Sequence, residues 1–127
     1  MKRSVVHFEI AADDVGKLSR FYEGVFDWKI EKTGEEGMEY WLINTGEGEG
    51  PNGGMASKTM WQNVGALSGI LDYFAVESVE EYSKKVTSQG GKVLEGKQPV
   101  PAMGWFAICQ DPEGNVFALW EMDPNAA

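Results

Sequence analysis

The sequence predicts an α+β fold: two tandem β-α-β-β-β units forming a curved eight-stranded mixed sheet, with the helices on its convex side. Three observations support this prediction. Adding 64 to a residue number carries the first half of the 127-residue chain onto the second without a gap. Each half has one amphipathic segment between short apolar runs, and each has a glycine-containing turn at the matching place. The repeats cover about residues 4–60 and 68–124. Because neither could bury its own sheet and helix, we expect one domain over residues 1–127.

The two predicted helices, residues 13–26 and 78–89, carry apolar side chains at positions i, i+3 and i+7. These are Val15, Leu18 and Tyr22 in the first half and Val79, Tyr82 and Val86 in the second. Asp13 and Asp14 open the first helix, and Ser78 with Glu81 forms an S-x-x-E capping box before the second. The pair of glycines at 90–91 favours a left-handed stop.

The predicted strands keep the same offset of 64 residues. They are residues 6–10, 28–31, 40–43 and 53–56 in the first half and 70–74, 92–95, 104–107 and 117–120 in the second. The turn Asp111-Pro112-Glu113-Gly114 places proline and glycine where a tight reversal needs them.

Composition and charge exclude several classes of function. Cys109 is the single cysteine, so neither a disulfide framework nor a multi-cysteine zinc site is possible within one chain. The formal net charge of −9 repels phosphate backbones and disfavours nucleic-acid binding, although it would tolerate a cationic small molecule. No apolar run approaches the ~20 residues of a membrane span, and the N-terminus lacks a signal-peptide core. We therefore expect a soluble cytoplasmic protein.

The pattern HFEIAADD from His7, FY at 21–22, VFDW at 25–28, GW at 104–105 and DPEGN at 111–115 resembles the vicinal oxygen chelate superfamily. That superfamily includes glyoxalase I, extradiol dioxygenases, fosfomycin-resistance enzymes and bleomycin-binding proteins. The resemblance covers about residues 4–122. It implies the fold predicted above, but it does not select one activity, because this fold carries several chemistries.

The resemblance also implies a divalent metal in a cup of sheet, held by the first and last strands of each half. The matching positions here are His7, Leu71, Gly54 and Ala118. Only His7 has a side chain that binds metal, so the resemblance implies that the metal site is largely lost, and we expect no cofactor. A weak site rebuilt from His7, Glu9 and water is the alternative.

Without the metal, the cup would contact a ligand through its side chains. The predicted ligand-binding residues are His7, Glu9, Met55, Leu71, Tyr73, Trp105 and Trp120. No residue is assigned a catalytic role, and His7 fits a ligand-facing role and a structural one equally well.

Three functions remain open. The first is a metal-independent protein of bleomycin-resistance type that binds or sequesters a small molecule, such as an aromatic or cationic one. The second is a glyoxalase-like lyase, isomerase or dioxygenase with a site rebuilt around His7. The third is a non-catalytic interaction module. We also expect a homodimer, in which an exposed aromatic residue such as Trp61 could lie at the interface.

Overall fold

A computed structural model describes residues 1–33, 39–64 and 69–127, without the side chains of residues 62–64. The chain divides into two compact units. The first unit is residues 6–70, and the second unit is residues 1–5 together with 71–127. Gly65, between the two predicted repeats, lies outside the described residues.

The first unit contains one helix and four strands, followed by a short 3-10 segment at Lys58–Val64. In chain order the elements are β1 (Val5–Ala12), α1 (Val15–Phe26), β2 (Lys29–Lys32), β3 (Tyr40–Asn44) and β4 (Asn52–Ser57). The strands lie side by side in the order β2-β3-β4-β1. The β1–β4 pair is parallel, and the β2–β3 and β3–β4 pairs are antiparallel.

The second unit repeats this plan. Its elements are β5 (Ile70–Ala75), α2 (Val79–Ser88), β6 (Lys92–Val100), β7 (Gly104–Gln110) and β8 (Val116–Met122). The strands lie in the order β5-β8-β7-β6, with β5–β8 parallel and the other two pairs antiparallel. α2, β7 and β8 begin 64 residues after α1, β3 and β4. The predicted α+β fold of tandem β-α-β-β-β units, eight strands of mixed direction and two α-helices among the described residues, is confirmed.

Each unit buries one face of its strands under its own helix. Because side chains alternate along a strand, every second residue points toward that helix. In the first unit the buried strand residues are Ile10, Ala12, Ile30, Ile43 and Met55, and Val15 of α1 packs on them. In the second unit the buried strand residues are Ala107, Cys109 and Leu119, and they pack with Val76 and with Val79 of α2. The helix faces predicted from the sequence are the faces that pack here.

Local hydrogen bonds mark the helix ends that the sequence predicted. The side chain of Asp14 accepts from the N–H of Lys17 at 3.1 Å, and that of Ser78 accepts from the N–H of Glu81 at the same distance.

The predicted helix stop and turn are also present. Gly90 has φ 94°, the left-handed conformation that lets the chain leave α2. Asp111 closes the predicted turn by accepting from the backbone of Glu113 and of Asn115, each at 2.9 Å.

Two further findings bear on the expected partners. Trp61 is buried, so the expectation that it would be an exposed aromatic residue at an interface is wrong. No α-helix among the described residues is both long enough and apolar enough to cross a membrane.

Glu121 supplies a cap that the sequence did not reveal. Its Oε1 accepts a hydrogen bond from the N–H of Val79, the first residue of α2, at 2.9 Å. The carboxylate therefore satisfies one of the free N–H groups of the helix and places negative charge at its positive end.

We expect Glu121→Ala to lower the free energy of unfolding by about 1 kcal/mol, because α2 loses both the hydrogen bond and the charge. Glu121→Gln should lose less, since the amide oxygen still accepts. Glu113→Ala removes an exposed turn carboxylate and serves as the control. Urea denaturation measures all three, and equal stability of Glu121→Ala and the wild type would contradict the cap.

Candidate functional site

A group of polar side chains lies on the face of the first unit that turns away from α1. His7 and Glu9 are alternate residues of β1, so both point to this face. Gly54 of β4 pairs with Glu9 of β1 on one side and with Leu42 of β3 on the other. This register places all of these residues on the same face of the sheet. Tyr40, two residues before Leu42, joins them.

His7, Glu9 and Tyr40 form one hydrogen-bonded group, here called the polar cluster. The Tyr40 hydroxyl donates to Glu9 Oε2 at 2.7 Å. His7 Nε2 lies 3.0 Å from the Tyr40 oxygen and 3.3 Å from Glu9 Oε2. The Glu9 side chain is 6% exposed and that of His7 is 33% exposed. A buried carboxylate thus meets an imidazole that solvent can reach.

These contacts bear on which ring nitrogen of His7 carries hydrogen. Tyr40 has one hydroxyl hydrogen, and it is used on Glu9. Because a carboxylate only accepts, these contacts fit the tautomer of His7 in which Nε2 carries the hydrogen that the two oxygens share.

Tyr40 occupies the space above Gly54. A Cβ atom added at Gly54 would overlap the hydroxyl and the adjoining ring carbon of Tyr40. Burial raises the pKa of Tyr40 well above its ordinary value, and the neighbouring Glu9 carboxylate raises it further. The phenol therefore keeps its proton and acts as a hydrogen-bond donor.

The residues present do not fit the resident divalent metal that the resemblance implies. A catalytic metal normally needs about three protein ligands and one open position. Among the described residues, no three His, Cys, Asp or Glu side chains are grouped so as to hold an ion. The Tyr40 phenol fills the space where a ligand side chain at position 54 would begin.

The other predicted site residues divide between two faces. Met55 is fully buried against α1, where its sulfur lies 3.5 Å from the Ser19 hydroxyl, so it is not beside His7 and Glu9. Trp105 packs against the cluster under α2, and its Nε1 donates to Asp123 at 2.9 Å. The face of the second unit that turns away from α2 carries Leu71, Tyr73 and Trp120. The register supports this placement, since Tyr73 pairs with Ala118 and Ala75 with Trp120.

Tyr40 is a residue of the polar cluster that was not among the predicted site residues. The available signal was size: the residue 64 positions later is Gly104, so the large side chain is peculiar to the first half. Cys109 is excluded as a nucleophile, because it is fully buried and burial raises the pKa of its thiol to about 11.

We expect Tyr40→Phe to lower the free energy of unfolding by about 2 kcal/mol at neutral pH, since Glu9 loses a donor. The difference from the wild type should shrink as pH rises above about 10. There the unfolded chain releases the Tyr40 proton while the folded chain retains it, so the wild type loses stability by about 1.4 kcal/mol per pH unit.

Urea denaturation between neutral and alkaline pH measures this effect. Tyr22→Phe, which changes a tyrosine of α1, is the control and should keep the alkaline loss of stability. Parallel pH profiles for the wild type and Tyr40→Phe would show that Tyr40 is not held in its protonated form.

Comparisons with known proteins agree with this architecture. The profile of the Glyoxalase/Bleomycin resistance protein/Dioxygenase superfamily matches residues 4–119. The anthracycline biosynthesis protein DnrV of Streptomyces peucetius is 24% identical over an alignment of 132 residues. The alignment covers 89% of this chain and 45% of DnrV. The chain thus spans about half the length of that relative. A glyoxylase-like domain-containing protein of Didymella fabae is 29% identical over 115 residues, 87% of this chain and 88% of the relative.

Among solved structures, methylmalonyl-CoA epimerase in complex with methylmalonyl-CoA and NH4+ is similar to this chain. The TM-score is 0.67 at 14% identity, and the match covers 100% of this chain and 99% of the epimerase. At 14% identity, that likeness shows the fold alone. Membership of the superfamily is shown by the profile match, which covers nearly the whole chain. The chain belongs to the glyoxalase/bleomycin resistance protein/dioxygenase superfamily.

Proposed function

We propose that this chain binds a small organic molecule without a metal ion and holds the polar group of that molecule at His7. The observation that supports this proposal most directly is the polar cluster itself. A partly exposed imidazole is held by a buried carboxylate and a protonated phenol, at a position where the superfamily resemblance implies a metal.

The charge of the chain favours a neutral or cationic ligand. The net charge is −9, and Glu9 already places one carboxylate in the cluster. A polyanionic ligand would be repelled by this negative charge. Leu42, which is 53% exposed on the same face, offers an apolar surface for the rest of such a molecule.

On the second unit, Leu71, Tyr73 and Trp120 remain predicted ligand contacts, because they share the face that turns away from α2. Met55 and Trp105 are not carried into the proposal, since they pack toward the helices. The homodimer and the cytoplasmic location expected from the sequence also remain predictions.

A second candidate is metal-free proton transfer, in keeping with the lyase or isomerase alternative. The contact between Glu9 and His7 Nε2 supports it, because a carboxylate beside an imidazole orients the ring as a general base. In this candidate the imidazole accepts the proton from the substrate, and Glu9 stabilises the resulting imidazolium. Tyr40 is a positioning residue, acting through Glu9.

We expect a thermal-shift screen of neutral aromatic, cationic and dicarbonyl compounds to yield ligands that raise the Tm of the wild type. His7→Ala should weaken each of them by about tenfold or more, equivalent to about 1.4 kcal/mol. Lys84→Ala, on the exposed face of α2, is the control and should bind as the wild type does. Equal binding by His7→Ala would contradict the proposal.

The same ligands separate the remaining functions. Incubating each ligand with the protein in D2O and measuring deuterium incorporation tests proton transfer, which should disappear in His7→Ala. Binding without incorporation favours the binding protein. A screen that yields no ligand favours the non-catalytic interaction module.

We expect elemental analysis of protein purified without chelator to find far less than one equivalent of any transition metal, because a single imidazole beside one carboxylate does not retain such an ion. The measurement is made on the wild type and on His7→Ala. About one equivalent that the substitution abolishes would overturn the metal-free mechanism and favour the enzyme alternative.

A further inference from the structure

The outer face of α1 is apolar where an amphipathic helix is usually polar. Phe21 and Val25, which lie on this face, are 59% and 56% exposed, and Phe26, at the end of the helix beside Tyr22, is 55% exposed. Together with Gly24, which is also exposed, they are here called the α1 stripe. The fold does not require an apolar surface at these positions. In the second unit the residues 64 positions later are Lys85, Gln89 and Gly90.

Ring contacts hold the α1 stripe in place. The Phe26 ring stacks on Trp28 with centroids 5.0 Å apart, and Tyr22 stacks on Trp28 at 5.5 Å. Trp28 in turn contacts Phe8 at 5.7 Å and packs against the cluster under α1. Because these rings are already ordered, covering them would cost little conformational entropy. A rigid, exposed aromatic surface of this kind is typical of a protein interface.

We propose that two copies of this chain pair through antiparallel contact between their α1 stripes. The inference rests on the homodimer retained above and names the surface that forms it. The charges beside the stripe support a second copy as the occupant. Lys17 and Arg20 are exposed in the first half of α1, and Asp27 is exposed just past its end.

An antiparallel pair brings Arg20 of one copy to Asp27 of the other, on both sides of the two-fold axis. It also sets the positive end of each helix dipole against the negative end of its partner. A partner surface that carried charges of one sign would attract either the basic end or the acidic end of α1, but not both. Gly24 lies near the axis, and the open space beside its Cα lets the two helices approach closely.

The size of the stripe sets the expected strength. Three apolar side chains and their neighbours are fewer than the 20–30 residues a side of a standard stable interface. We therefore expect a reversible dimer, with a dissociation constant on the order of 10 μM rather than nanomolar.

Sedimentation velocity over a concentration series tests the pairing. Phe21→Lys combined with Val25→Gln gives α1 the residues that α2 carries at the matching positions, and it should weaken dimerisation by at least about tenfold. Met122→Gln, which changes a side chain that is 80% exposed on β8, is the control and should dimerise as the wild type does. Circular dichroism confirms that each variant is folded.

The possible outcomes separate the two proposals. A dimer that is insensitive to the double substitution overturns the α1 surface and leaves the homodimer standing. A protein that is monomeric throughout overturns both and indicates a different occupant for the stripe. Neither result bears on the ligand proposed at His7, which is measured by binding.

Disulfide trapping tests the orientation. Gly24→Cys should form a covalent dimer on mild oxidation, because position 24 lies beside its own copy near the axis. Lys17→Cys should not, because antiparallel helices separate the two copies of residue 17 by about 20 Å. Cys109 is buried and does not interfere. Trapping of both variants alike would overturn the antiparallel arrangement.

Discussion

The hydrogen bond from the Tyr40 hydroxyl to Glu9 determines the character of the face on which it lies. Without it, a carboxylate that is almost wholly buried would lose a hydrogen-bond donor, and its burial would cost more free energy. With it, Glu9 has a fixed donor, and the same carboxylate oxygen, Oε2, also contacts the imidazole of His7. The chemistry available on this face, an oriented imidazole backed by a buried carboxylate, follows from that arrangement.

Much of the fold could be predicted because its signals are local and repeated. The caps formed by Asp14 and Ser78, the left-handed glycine at 90 and the turn at Asp111 each depend on neighbouring residues only, and the constant offset supplies a second copy of most elements. Trp61 was misjudged for the opposite reason. Whether an aromatic side chain in a connection is covered depends on contacts that no local pattern records.

The candidate site was harder to predict because it depends on which face each strand residue takes. Met55 follows Gly54 directly, and alternation therefore sends it to the other side of β4, against α1. In β7, Phe106 pairs with Trp120 on the face that turns away from α2. Trp105 is the adjacent residue, so it lies on the other face, toward α2. His7 and Glu9 were paired correctly because both lie on one strand, whereas Tyr40 reaches them only through the register of β3 on β4.

The close contact of Tyr40 with the backbone of Gly54 has a consequence for how this chain can change over evolutionary time. A carboxylate introduced at position 54 alone would collide with the phenol, and loss of the phenol alone would leave Glu9 short of its donor. Either single replacement gives a less stable protein, so the effects of substitutions at the two positions are coupled. Exchanging this pair one substitution at a time would therefore be difficult.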